Sequence, residues 1–196
     1  MANALSLRAG VTGLVLAWTF CVSVTAMAQQ LSIESSARNG VVTVKASAEM
    51  QVDPRTVWDV ISDYDHLAEF IPDMKSSRVV QRDGDTVMVE QTGEFGFLFF
   101  RQPVAVRLLV VEYPTRHILA RALGGNLREM EGRYELEKLP TGAVRLLYEG
   151  RVIPDFPVPP IIGTLLMRGE LSRQFTAMVK EIMRRDALAG AAPAPR

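Results

Sequence analysis

Cysteine is nearly absent from this 196-residue chain. Cys21 is the only one, which excludes a disulfide scaffold and any zinc or iron–sulfur site built on several thiolates. Histidine is scarce too, and His66 and His117 stand in none of the spacings that bind zinc. Neither sign of charge is in excess, with 22 Lys+Arg against 22 Asp+Glu, so the basic surplus of a nucleic-acid binder is missing. There is no G-x-S-x-G and no P-loop, which removes two common devices for nucleophilic attack and phosphate binding. Beyond the first thirty residues no apolar run reaches 18 residues, the length a membrane-spanning helix needs. The expectations that follow are no catalytic residue, no metal, no cofactor and no nucleic acid.

What is present begins with the pattern of an export signal. Residues 1–28 carry one charge, Arg8, then the apolar run Val11–Val24, and end in Thr25-Ala26-Met27-Ala28. A basic start, a short apolar middle and an A-x-A ending form a secretory leader, with cleavage expected after Ala28. As a helix the apolar run rises about 21 Å, short of the roughly 30 Å hydrocarbon core. An uncleaved anchor is the alternative. Cys21 falls inside the run and reads as part of the leader, so the mature chain would have no thiol and would suit an oxidising compartment, the bacterial periplasm first. The organisation expected is a leader over 1–28, a lead-in over 29–40, a folded domain over 41–186 and a disordered tail over 187–196.

Val41–Val52 alternates apolar and polar residues cleanly, the mark of a half-buried strand. Asp53-Pro54 follows, an N-cap and a proline at the first helical position, with Val57, Trp58, Val60 and Ile61 at helical spacing behind it. A second short turn near Tyr64–Phe70 ends before Pro72. Strands are predicted at Arg78–Gln81 and Thr86–Thr92, joined by the hairpin signal Asp83-Gly84-Asp85. More are predicted at Val104–Glu112, Ile118–Leu123, Leu127–Glu137 and Ala143–Ile153. In Leu127–Glu137 one row is Arg128, Met130, Gly132, Tyr134 and Leu136, and the other is charged from Glu129 on, with Glu131, Arg133, Glu135 and Glu137. One sheet face is therefore expected in water and the other covered. After a proline-punctuated stretch a helix of about 25 residues is predicted, with Leu171, Phe175, Met178 and Ile182 on one stripe. Consecutive strands with tight turns make an antiparallel sheet, and only the last helix is long enough to cover its apolar face.

The run Val57-Trp58-Asp59-Val60-Ile61-Ser62-Asp63-Tyr64-Asp65-His66-Leu67-Ala68-Glu69-Phe70-Ile71-Pro72 carries a resemblance. Placed after the first strand, it is similar to a motif of the START-related superfamily, which includes the birch-pollen-allergen-like proteins. Within that superfamily it resembles the polyketide cyclase/dehydrase and coenzyme-Q-binding branch. The resemblance covers roughly residues 41–185. It implies an α+β helix-grip fold, a curved antiparallel sheet wrapped around the long C-terminal helix with two short helices after the first strand. It also implies a site between sheet and helix for a hydrophobic small molecule.

Candidate ligand-binding residues divide into two groups. The aromatic ones are Trp58, Phe70, Phe97, Phe99, Tyr134, Tyr148 and Phe175; the aliphatic ones are Met88, Met130, Leu171 and Met178. Methionine fills irregular apolar space, and the two tyrosines would supply the few polar groups such a pocket needs. A packed core that merely uses these residues is the competing reading. Phe95, Phe97, Phe99 and Phe100 crowd a segment expected to be a loop. They read either as a strand buried on both sides or as lining and rim of a cavity. With Phe156–Ile162 they would form an apolar rim for transient membrane contact. The first functional expectation is an exported, monomeric, non-enzymatic carrier of a lipid, quinone or isoprenoid. The alternative is a cyclase or dehydratase on an apolar or polyketide-like substrate, resting on Glu90, Arg107, Tyr134 and Tyr148. His66 is expected on the surface and His117 at a strand start.

Overall fold

The computed structural model describes residues 31–38, 40–97, 100–155 and 160–191, without the side chains of 96, 97, 100 and 160–168. The expected leader, Phe99, the segment 156–159 and residues 192–196 lie outside the described residues, as do the side chains of Phe97 and Phe100.

The first described elements are two strands, β1 (Leu31–Arg38) and β2 (Val41–Met50). The alternation of β2 is realised: Val42, Val44, Ala46, Ala48 and Met50 are buried. β1 was not expected, since residues 29–40 read only as a lead-in. It is a mostly exposed edge strand held by antiparallel pairing to β2 from Leu31↔Ala48 to Arg38↔Val41. The helix α1 (Pro54–Ile61) starts as expected, with the Asp53 side chain accepting the Arg55 amide at 2.8 Å and proline in its first turn. A one-turn 3₁₀ helix (Tyr64–His66) and α2 (Leu67–Phe70) follow, and α2 stops before Pro72.

The six predicted strands are all present, as β3 (Met74–Asp83), β4 (Thr86–Phe97), β5 (Phe100–Tyr113), β6 (His117–Gly125), β7 (Leu127–Lys138) and β8 (Val144–Pro154). Gly84 takes φ +54° at the β3–β4 turn, the left-handed conformation that a tight hairpin requires. The segment expected to be an aromatic loop is a continuation of two strands. β4 and β5 stay paired to Phe97↔Phe100, because Phe95↔Gln102 and Gly96↔Arg101 extend the ladder. The sheet runs β1-β2-β8-β7-β6-β5-β4-β3, antiparallel throughout. A meander from β3 to β8 is thus completed by the N-terminal pair docking on β8.

The last helix, α3 (Pro160–Ala191), lies in the concave face of this sheet. Phe175, Met178, Val179 and Ile182 are buried. α3 extends through 187–191, where a disordered tail was expected; Ala187, Ala189 and Ala191 favour helix strongly. The architecture is the α+β helix grip. Its outer face carries an ion-pair lattice that includes Lys45–Glu149 at 2.6 Å, Arg133–Glu135 at 2.8 Å and Arg145 with Glu49 at 2.5 Å. Exposed pairs of this kind contribute little stability each.

Near its end α3 is tied to the front of the domain. Arg185 reaches Asp63 at 2.7 Å and stacks over Phe70, and Asp186 accepts the Asp53 amide at 2.8 Å. Glu181 holds Arg184 and Arg185. Hydrogen bonds from Arg184 and then Arg185 outweigh burial and hold its carboxyl down to about 2, against an ordinary 4.5. A carboxyl lowered on folding stabilises the protein above its unfolded pKa and loses that contribution as pH falls through the folded one. Glu181→Gln is therefore expected to be less stable than the parent above about pH 5, with the gap closing by about pH 2. Urea midpoints measured across that window check it; a gap independent of pH would contradict the ion-pair account.

Candidate functional site

Between the sheet and α3 the interior does not close. Two adjoining chambers of about 160 and 180 Å³ share Val44, Met74, Gln91, Met130, Tyr148 and Gln174 among their walls. The deeper one lies against Ile61, Tyr64 and Leu67 of the short helices. No charged side chain lines it among the described residues; its polar groups are tyrosines and the amides of Gln91 and Gln174. The outer chamber opens toward the β4–β5 end and the front of described α3, between Phe95, Pro154 and Leu171.

The wall of the deep chamber has a local cause. Gly132 pairs with Gly150 across β7 and β8, and Tyr134 with Tyr148 two residues along. The two phenol rings lie 4.7 Å apart, tilted by 38°. The Tyr148 ring leans over the glycine pair, so that a Cβ on Gly150 would stand 2.5 Å from its hydroxyl. Two residues without side chains thus make the space that the Tyr148 ring occupies. Burial raises both phenols, Tyr148 to about 12, so both are neutral donors and acceptors. At the closed end the Tyr64 hydroxyl is buried with no hydrogen-bond partner among the described residues. Burial, and then the nearby Glu112 carboxylate, raise its pKa. Glu112 is itself held by Arg82 at 2.9 and 3.3 Å.

Of the sequence candidates, Met130, Tyr134, Tyr148, Leu171, Phe175 and Met178 meet at the chambers. Three do not. Trp58 packs against the core from the flank of α1, whose buried stripe is Val57, Val60 and Ile61. Phe70 lies under Arg185. Met88 faces outward, because Val87 and Val89 take the inner positions of β4 at 0% exposure. The same phase places Glu90 on the outer face, bonded to Arg78 at 2.6 Å and to Arg107 at 2.6 Å. Glu90 and Arg107 are therefore not pocket groups, and an enzymatic reading keeps only the two tyrosines. His66 is exposed and bonded to Asp63 at 2.6 Å. His117 begins β6 and stacks on Tyr113 at 4.1 Å. Sequence reasoning missed Tyr64, Gln91, Gln174 and Glu170. Gln91 could have been found two positions beyond Val89, and Gln174 three beyond Leu171 and beside Phe175.

Among the described residues no group of three metal-ligating side chains gathers, and no helix is long and apolar enough to cross a membrane. A family model described as polyketide cyclase / dehydrase and lipid transport matches residues 50–179. No curated protein matches the sequence. Solved structures share the fold at low identity. The Zhui aromatase/cyclase from Streptomyces sp. R1128 superposes with a TM-score of 0.64 at 12% identity, over 80% of this chain and 99% of that one. A START superfamily protein from Mycobacterium smegmatis gives 0.61 at 18%, over 72% and 97%. A STAR-related lipid transfer protein fragment from Xanthomonas axonopodis gives 0.61 at 10%, over 79% and 98%.

Proposed function

Because the chain belongs to the polyketide cyclase / dehydrase and lipid transport family, we propose that it is an exported carrier that holds a lipid, quinone or isoprenoid between sheet and α3. The observation that carries the reading is the deep chamber, which no charged side chain lines among the described residues. An apolar cavity of this kind gains about 0.8 kcal/mol for each methylene taken from water, and a few neutral hydrogen-bonding groups orient what enters. Tyr134 and Tyr148 are the groups placed to do so. With Glu90 and Arg107 outside, the cyclase or dehydratase alternative lacks the charged acid or base that its sequence candidates would have supplied. Export rests on the leader pattern of residues 1–28. Membrane contact at Phe95–Phe100 and Phe156–Ile162 would bring the open end of the cavity to its donor, and the carrier would act as a monomer.

Protein purified from its native host is expected to bring an apolar small molecule with it, seen as a mass increment in native mass spectrometry. It is also expected to take up Nile red with a blue-shifted emission. Absence of both would overturn the reading.

A further inference from the structure

Among the described residues the charged lining of the outer chamber is of one sign. Asp73 and Glu170 border it, with Glu94 beside them on the outward phase that it shares with Glu90, and no lysine or arginine does among the described residues. Each acid has a built position. The Asp73 carbonyl accepts the Glu94 amide at 2.8 Å, and the approach needs Gly93, where a Cβ would stand 2.6 Å from that oxygen. Glu170 is 4% exposed. The nearby cations are already engaged. Arg173 holds Asp73 at 2.8 Å and also Glu170, while Lys75 and Arg101 hold Glu94.

The amides where the chambers join point the same way. Gln91 donates its NH₂ to Ser77 Oγ at 3.2 Å, and Gln174 donates its own to Glu170 at 3.1 Å. Among the described residues their carbonyl oxygens take no hydrogen bond, so the polar surface offered here is rich in acceptors.

We propose that this outer chamber selects the polar end of the ligand: it accepts an end that donates hydrogen bonds and carries no negative charge, an alcohol or an amine, and rejects a carboxylate or a phosphate. The inference rests on the carrier reading above and adds the chemical class of the cargo. An anionic end would sit beside the Asp73 and Glu170 carboxylates in partly desolvated surroundings, or would have to draw Arg173 from both its partners. Glu170 is already raised by burial, and a second anion beside it would raise it further. A hydroxyl or ammonium finds acceptors in place.

The test is displacement of Nile red from the purified protein by 1-dodecanol, dodecylamine and dodecanoate at about pH 7, where the amine is cationic and the acid anionic. The alcohol and the amine are expected to displace the dye at concentrations about tenfold lower than dodecanoate. Glu170→Gln and, separately, Asp73→Asn are expected to strengthen dodecanoate several-fold relative to 1-dodecanol. Dodecanoate equal to or better than the alcohol would overturn the proposal with the carrier reading intact, and so would an unchanged ratio in both variants. Failure of the protein to bind the dye and all three amphiphiles would overturn both.

Discussion

Ala46→Phe is expected to fold and to lose uptake of Nile red by a factor of ten or more, about 1.4 kcal/mol or above. Ala46 is buried on the inner face of β2, opposite Tyr148 and against the deep chamber. A phenyl ring there has the chamber to enter. Overpacking costs stability where a core is already full; here the ring occupies space that a ligand would otherwise fill. Circular dichroism and a cooperative melt establish the fold, and dye titration reads the loss. Unchanged dye affinity in the folded variant would mean that uptake occurs elsewhere than between sheet and helix.

Leu146→Ala is expected to be the most damaging of the conservative truncations, at about 3 kcal/mol. Leu146 is fully buried, on β8 between its pairing partners Ala48 on β2 and Leu136 on β7. Removing it leaves a void where the N-terminal strand pair joins the meander. For a domain of this size the melting temperature should fall by roughly 6–12 °C. A fall below about 1 kcal/mol would show that the neighbouring strands collapse into the gap.

The contrast between these two sites shows where the sequence was legible. Leu146 lies in the row Val144, Leu146, Tyr148, Gly150 and Val152, whose inward phase is plain from alternation, and the structure keeps it. β2, α1 and the buried stripe of α3 were readable for the same reason: each buries one face, so period and burial coincide. β4 was ambiguous because Val87, Met88 and Val89 are all apolar. Its phase is settled by pairing, which sets Glu90 between Arg78 and Arg107. β1 has little apolar signal of its own, and its strand state comes from the ladder with β2.

The candidate site was legible by half. Met130, Tyr134 and Tyr148 follow from alternation, and Leu171, Phe175 and Met178 from helical spacing. Trp58 was drawn in by residue type, although Val57, Val60 and Ile61 already formed the buried stripe. The polar lining was missed because Gln91, Gln174 and Glu170 are unremarkable as residue types. Their importance comes from facing an unfilled interior, which local periodicity does not report.

The place of β2 in the sheet bears on how the chain reaches this state. Strands β3 to β8 can zip as successive local hairpins, each closing a short loop at small entropic cost. The β2–β8 ladder joins residues about a hundred positions apart, and it cannot begin until the final strand exists. Non-local pairing of this kind raises contact order and slows folding. The N-terminal pair is thus made first and docked last. Until it docks, the edge of β8 and the concave face beneath it stay open to whatever other strand or apolar surface is near.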